Sequence, residues 1–287
     1  MRKRISDKNV FPSFSLETEY KKIHELIFDK DAFGKVISYT MNSRPCYSYN
    51  DCLQMMFLDW KLRGSFTSIE EMLYGLEISE DHFEKDITGD RLLDYLQFVL
   101  NAICFIENQI DQQTYAIYRN GKTLFNAIVN NCKYVIARLG AEIKQEKDEF
   151  FIVYKDDVAT IVVAQNEELE SSIVEYLKVD NRGDIERKAE ILCTLAKRLE
   201  PYEGKLKNME FGALCSDTTY LLNKVARHNQ NPEKKTDAVF AEMDSDEFEL
   251  WQDRVFNMFL ACMAVLPYTE IKTEINELKK GKNAEYN

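Results

Sequence analysis

The feature that most restricts the fold is an apolar stripe before the middle of the chain, whose members recur every three or four positions. On an α-helix this spacing places all of them on one face. The stripe therefore predicts a long helix with a buried face. Its members are Leu92, Leu93, Leu96, Val99, Leu100, Ile103 and Ile106.

The turn-forming residues are scarce, because the 287 residues include only 10 Gly and 5 Pro. Few glycines mean few tight turns, which disfavours many-stranded β folds and α/β folds with glycine-rich phosphate loops. The length suits one large or two ordinary domains, each with its own core. The sequence therefore predicts a mainly α protein made of helical bundles.

One region has an amino-acid composition typical of β-strands. Phe150 to Tyr154 and Val158 to Val163 are runs of β-branched and aromatic residues, separated by Lys155-Asp156-Asp157. This pattern predicts a small antiparallel β-hairpin of two or three strands near residues 141–164, with the third strand near Ala141 to Lys144. The alternative is a pair of buried helix fragments, and the Val and Ile content favours strands.

A polar segment separates the two halves of the chain. Residues 111–121 are largely polar and contain the turn signal Asn120-Gly121. We therefore predict an N-terminal helical domain over residues 1–115 and a second helical bundle, carrying the hairpin as an insertion, over residues 116–287.

The sequence predicts a cytoplasmic protein that does not enter a membrane. The basic start Met1 to Arg4 is not followed by the apolar stretch of a signal peptide. The longest apolar run, about Val255 to Leu266, is shorter than the ~20 residues that span a bilayer. The seven cysteines show no CxxC spacing, and no phosphate-loop motif is present, so we predict no metal site and no cofactor.

The charge is negative overall but uneven. The chain has 37 Lys and Arg against 49 Asp and Glu, a formal charge of −12, which disfavours general nucleic-acid binding. The stretch from Arg182 to Lys235 has eleven basic and eight acidic residues, so its charge is 11 − 8 = +3. This stretch also contains the most specific candidate site.

The candidate site is a polar motif near the end of a predicted helix that runs from Phe211 to about Arg227. Thr219, Asn223 and Arg227 are spaced i, i+4 and i+8, and therefore share a helix face. His228 and Asn229 follow at once. A guanidinium can bind two phosphate oxygens, an imidazole can transfer a proton near neutral pH, and amides can orient either group. The motif predicts a phosphate-binding site without a metal.

A simpler interpretation stays open beside this one. Any solvent-exposed helix end can carry a polar stripe, and cationic side chains such as those of Arg227 and His228 stabilise a helix C-terminus through its dipole. The acidic clusters elsewhere, such as Asp244 to Glu247, occupy positions that suit helix N-termini. We therefore interpret those clusters as capping residues and do not predict a metal-dependent nuclease.

The run from Leu222 to Asn229 resembles the start of the R-x4–6-H motif of HEPN domains, and the LNN…RHN segment of bacterial abortive-infection-like proteins. The resemblance covers about residues 122–278 in helix order and some eight residues in detail. HEPN domains are four- to five-helix bundles, and many are metal-independent ribonucleases of antiviral defence systems that work as dimers. The resemblance implies an RNA-binding or partner-binding defence protein in which Arg227 and His228 are catalytic and Asn223, Asn229 and Thr219 contact the substrate.

The motif departs from the family at its second histidine. The positions where that histidine would stand are Pro232, Glu233 and Lys234, and no histidine follows His228. Either the bundle is a non-catalytic relative, which we favour, or His228 acts as general acid or base in a metal-independent endoribonuclease while Arg227 stabilises the phosphate. The alternative function is a non-enzymatic interaction or scaffold protein whose acidic N-terminal domain docks a partner subunit.

Overall fold

The computed structural model describes residues 14–28, 39–41, 44–46, 48–111, 121–227 and 238–284. The chain is mainly helical, with small antiparallel hairpins, which confirms the predicted fold class. It divides into two compact units, Met1–Tyr154 and Lys155–Asn287.

The first unit is built around one long helix. It contains two short antiparallel hairpins, and the second of them closes the unit. The helices are α1 Leu16–Phe28, α2 Tyr49–Met56, α3 Ile69–Gly75, α4 Glu80–Lys85, α5 Gly89–Asp111 and α6 Gly121–Arg138, and the strands are β1 Tyr39–Met41, β2 Arg44–Cys46, β3 Ala141–Glu146 and β4 Glu149–Tyr154.

The apolar stripe predicted from the sequence is the buried face of α5. Every one of its members is at most 1% exposed. Tyr95, between them, is also fully buried, and Phe98 packs edge-on against Trp60 with ring centroids 5.8 Å apart. The helix therefore forms the core of the unit, as its spacing predicts.

The outer edge of β4 is closed by side chains of α5. Asn101 accepts a hydrogen bond from the Phe150 amide and donates one to the Phe150 carbonyl, both at 2.7 Å. Gln97 Oε1 accepts from the Ile152 amide, also at 2.7 Å. Side-chain amides of a helix thus do what a third strand would do, and they satisfy backbone groups that an edge strand leaves unpaired.

The division between the units differs from the predicted boundary near residue 115. The hairpin and α6 belong to the first unit, which ends at Tyr154. The Asn101 and Gln97 bonds tie β4 to α5, the Tyr154 hydroxyl donates to Asp90 at 2.7 Å, and α6 packs against β3. The polar segment around residue 115 therefore falls within the first unit. Composition alone could not show this, because it does not reveal hydrogen bonds between residues that are far apart in the chain.

The second unit contains only helices and short turns within its described residues. Its core lies between the helices Ile185–Leu199 and Ser245–Ala264, and the Tyr176 and Phe256 rings stack there with their centroids 4.0 Å apart. The helices are α7 Asp157–Gln165, α8 Glu170–Tyr176, α9 Ile185–Leu199, α10 Glu203–Lys207, α11 Gly212–Leu222, α12 Ala238–Ala241, α13 Ser245–Ala264 and α14 Leu266–Ala284.

The strand predicted over Val158 to Val163 is wrong, because this run lies in α7. Asp156 caps the helix by accepting a hydrogen bond from the Ala159 amide at 2.8 Å. Val162 is fully buried, and α7 packs against α13. Capping and tertiary packing therefore outweigh the β propensity of the run, and the hairpin partner of β4 is β3, the segment that was predicted as a third strand.

Candidate functional site

The helix that carries the polar motif does not continue as an α-helix to Arg227. The α-helical part α11 ends at Leu222, and a π-helical turn follows over Asn223–Arg227. A π turn is wider than an α turn because its hydrogen bonds join residues i and i+5. The i, i+4, i+8 spacing therefore no longer places Thr219, Asn223 and Arg227 on one α-helical face. Such turns are rare overall, and those that do occur are often found at functional sites.

The π turn is held by the core of the second unit. Leu222, just before it, and Val225, within it, are buried, and the turn packs against α9 and α13. Lys224 Nζ lies 5.6 Å from the centroid of the half-exposed Tyr220 ring, within the range of a cation–π contact. Packing against the core thus holds the backbone of the π turn, which carries Asn223 and Arg227 of the polar motif.

The structure describes only two of the five predicted site residues in full, Thr219 and Asn223. The Thr219 hydroxyl oxygen is buried. Burial raises the pKa of the Cys215 thiol, and the interaction of this thiol with the Thr219 hydroxyl lowers the pKa in part. Thr219 therefore belongs to the packing of the bundle. Asn223 is half-buried and opens the π turn. Arg227 closes the turn, but its side chain, with His228 and Asn229, lies outside the described residues.

Many cations of the basic stretch are neutralised by carboxylates of the same unit. Each of these basic side chains already has a partner of opposite charge, and apart from the pairs of Lys188 the ion pairs are at the surface. The pairs are Arg187 with Glu175 and Glu190, Lys188 with Glu249 and Asp253, Arg198 with Glu168, Lys205 with Glu270 and Lys207 with Glu203. The excess of +3 consequently does not form a broad basic surface over α9 and α10.

The second unit contains a buried ionic cluster that was not predicted from the sequence. Lys188 is 6% exposed, and its Nζ donates to Glu249 Oε1 and to Asp253 Oδ1, both at 2.7 Å. The Tyr176 hydroxyl donates to the same Asp253 oxygen at 2.9 Å, and Lys188 Nζ lies 5.3 Å from the Tyr176 ring centroid. The cluster joins α8, α9 and α13 at one end of the bundle.

The cluster is electrostatically satisfied. Burial raises the pKa of the Glu249 carboxyl, but hydrogen bonds from Lys188 and the Gly183 amide outweigh burial and lower it overall. Burial also raises the pKa of the Tyr176 hydroxyl, so this group stays protonated and donates. We interpret the cluster as structural. One signal was present in the sequence: Lys188 stands at the spacing of the buried Ile191, Leu192 and Leu195.

A groove of about 640 Å³ lies between α1 and the α4 segment of the first unit. Tyr20 and Phe83 form its floor as a stacked pair with ring centroids 3.9 Å apart. His24 lies beside them, with Nδ1 3.3 Å from the Tyr20 hydroxyl oxygen and 3.0 Å from that of Tyr95. Five carboxylates line the groove together with two lysines, so its lining carries a net negative charge; these residues are Glu17, Glu25, Glu80, Glu84 and Asp86, with Lys21 and Lys85.

Burial lowers the pKa of His24 from its ordinary value of 6.5, although Glu80 and Glu25 oppose this effect. Because the unfolded chain takes up this proton at a higher pH than the folded chain, we expect the free energy of unfolding to fall as the pH drops below 6.5. His24→Gln should flatten this dependence in urea unfolding between about pH 7.5 and about pH 5.5. The control His82→Gln should retain it, and equal slopes for wild type and His24→Gln would contradict the assignment.

Comparisons of the chain with protein-family models, curated proteins and solved structures found no match. Within the described ranges, no helix is long and apolar enough to cross a membrane. The same ranges contain no group of three or more His, Cys, Asp or Glu side chains that could hold a metal ion.

Proposed function

We propose that the second unit is a HEPN-like bundle of a bacterial antiviral defence protein, and that it binds RNA where α11 passes into the π turn. The observation that carries the proposal is the π turn itself, which follows the bundle helix α11 over Asn223–Arg227, directly before His228 in the sequence. A π turn is a rare backbone form, and the buried Val225 helps to hold this one in place. Its coincidence with the Arg-His pair supports a role for that pair.

The chemistry suits a phosphodiester. The Arg227 guanidinium would bind two phosphate oxygens, and the amides of Asn223 and Asn229 would orient the backbone of the RNA. Because no second histidine follows, the bundle would bind RNA without cutting it. If it cuts, the step needs no metal: Arg227 would stabilise the pentavalent phosphate, and His228 would act as general acid or base.

The test is RNA binding by the full chain, measured by fluorescence anisotropy with a labelled single-stranded RNA in EDTA. We expect Arg227→Ala to weaken binding by about tenfold or more, because a charge-assisted hydrogen bond is lost. Arg198→Ala is the matched control, since it removes an exposed cation that is paired with Glu168, and its affinity should stay within about twofold of wild type. Equal affinities of wild type and Arg227→Ala would reject the proposed site.

The same samples answer the question of cleavage. We expect the RNA to remain intact on a denaturing gel. Cleavage in EDTA that Arg227→Ala and His228→Ala both abolish would identify an endoribonuclease instead.

The ion pairs favour a second candidate, a non-enzymatic protein that docks a partner through its acidic N-terminal unit. Five cations of the basic stretch are already paired, and the whole chain has a formal charge of −12, which opposes RNA. If the wild-type chain has no measurable affinity for RNA, the protein-interaction function is better supported than RNA binding.

A further inference from the structure

The helix α14 carries an apolar stripe on its outer face. Ile271 is 50% exposed and Leu278 is 72% exposed, although both side chains are apolar. The members of the stripe follow one another at spacings of three, four and three residues, and they are Tyr268, Ile271, Ile275 and Leu278. This spacing is the alternation of positions a and d in a coiled-coil heptad, and we call the four residues the seam.

The second unit holds α14 at its start. Leu266 and Thr269 are buried, and the helix packs against α10 and α13. Every residue from 276 to 280 is exposed, so these turns receive little support from the described part of the chain. A helix end of this kind is marginal in water, because most helical stability comes from the packing of an apolar face.

Charged residues of opposite sign flank the seam. Glu274 is at position g, and Lys272 and Lys279 are at position e. Lys272 Nζ lies 2.7 Å from Glu210 Oε1 and is therefore used within the chain. The hydrogen bond from Lys272 lowers the pKa of Glu210, and the charge of Lys279 adds a smaller effect. Among the described residues, Glu274 and Lys279 form neither an ion pair nor a hydrogen bond.

The two signs are arranged for a parallel copy of the same helix. In a parallel two-stranded coiled coil, a g residue faces the e residue five positions later on the other helix, and Lys279 is five positions after Glu274. In an antiparallel pair, g would face g and e would face e, which would oppose like charges. Isoleucine at a with leucine at d, as at Ile275 and Leu278, also favours two parallel strands.

We propose that the seam is a homodimer contact, in which α14 of two copies pairs in parallel and Glu274 binds Lys279 of the partner subunit. Symmetry forms this ion pair twice. The seam extends over about 15 Å of helix, so the contact is small and belongs to the weak, transient class of interfaces. We expect a dissociation constant on the order of 10–100 µM.

The experiment is sedimentation equilibrium of the full chain from about 5 µM to about 500 µM. An ionic strength of about 0.15 M largely screens the repulsion between chains of charge −12. The seam variant is Ile271→Glu/Leu278→Glu. The matched control is Val158→Glu/Ile161→Glu, which adds the same charge at two exposed apolar positions of α7. Circular dichroism melts establish that each variant is folded.

We expect wild type and control to dimerise with affinities within about twofold of each other, and the seam variant to stay monomeric over the whole range. Amide exchange over residues 271–280 should slow as the wild-type concentration rises, because the dimer protects this end of α14. The proposal is overturned if wild type stays monomeric, if the seam variant dimerises like wild type, or if the control loses the dimer as well.

Charge reversals test the parallel orientation. Glu274→Lys and Lys279→Glu change the net charge in opposite directions, yet each should weaken its homodimer by about fivefold, because like charges then face each other. An equimolar mixture of the two variants should dimerise about as tightly as wild type, since both ion pairs are restored. Wild-type affinity in both separate variants would reject the pairing of Glu274 with Lys279.

Discussion

Replacing Lys188 with Met is expected to lower the free energy of unfolding by about 3–5 kcal/mol. The substitution keeps an unbranched side chain of similar length in a site that is 6% exposed, so the change in packing is small. What it removes is the cation between Glu249 and Asp253. Breaking a buried ion pair leaves an uncompensated charge, which costs far more than the pair contributes.

Glu249 should account for most of this loss. Its side chain is 16% exposed, whereas that of Asp253 is 44% exposed and remains hydrated without Lys188. Lys188→Met/Glu249→Gln should therefore recover part of the stability, since the amide carries no charge to bury.

Urea unfolding followed by circular dichroism measures these differences. The control is Arg198→Met, because its pair with Glu168 is half-exposed, and it should cost no more than about 1 kcal/mol. If Lys188→Met stays within about 1 kcal/mol of wild type, the cluster does not hold α8, α9 and α13 together in the way described.

The second large effect is expected at Asn101. Asn101→Leu leaves the Phe150 amide and carbonyl without their partners, and each unsatisfied buried backbone group costs about 1–3 kcal/mol. The leucine has nearly the same size, so lost hydrogen bonds dominate the change. Because the groups belong to β4, we expect faster amide exchange along this strand as well as lower global stability.

Hydrogen exchange and urea unfolding together test this expectation. Asn108→Leu is the control: it lies on the same helix but is exposed, and it should change stability by no more than about 0.5 kcal/mol. Equal losses from the two variants would mean that the amide side chain of Asn101 does not act as a substitute strand.

The elements that follow from a strong local pattern were predictable. The stripe of α5 is buried over its whole length, and Asp184 caps α9 by accepting from the Arg187 amide, as its position before the apolar face indicates. Such features depend on residues near one another in the chain. The run of α7 was predicted as a strand, with a helix as the alternative, because its residues are β-branched, whereas the Asp156 cap and the packing of Val162 favour the helix.

The candidate site was less predictable for a geometric reason. Spacing on an ideal helix placed Thr219, Asn223 and Arg227 together, but no rule of spacing indicates where an α-helix widens into a π turn. The acidic groove could not be predicted from the sequence either. Glu25 and Glu80 are far apart in sequence, and only the packing of α1 beside α4 brings them to one groove.

The closed edge of β4 also bears on solubility. Phe150 to Tyr154 is an uncharged run without proline, the kind of segment from which amyloid fibrils are built. In the native chain one side of this strand pairs with β3 and the other is occupied by Asn101 and Gln97, so no further chain can add to it. Two amide side chains on a neighbouring helix thus keep a self-associating peptide out of reach of other molecules.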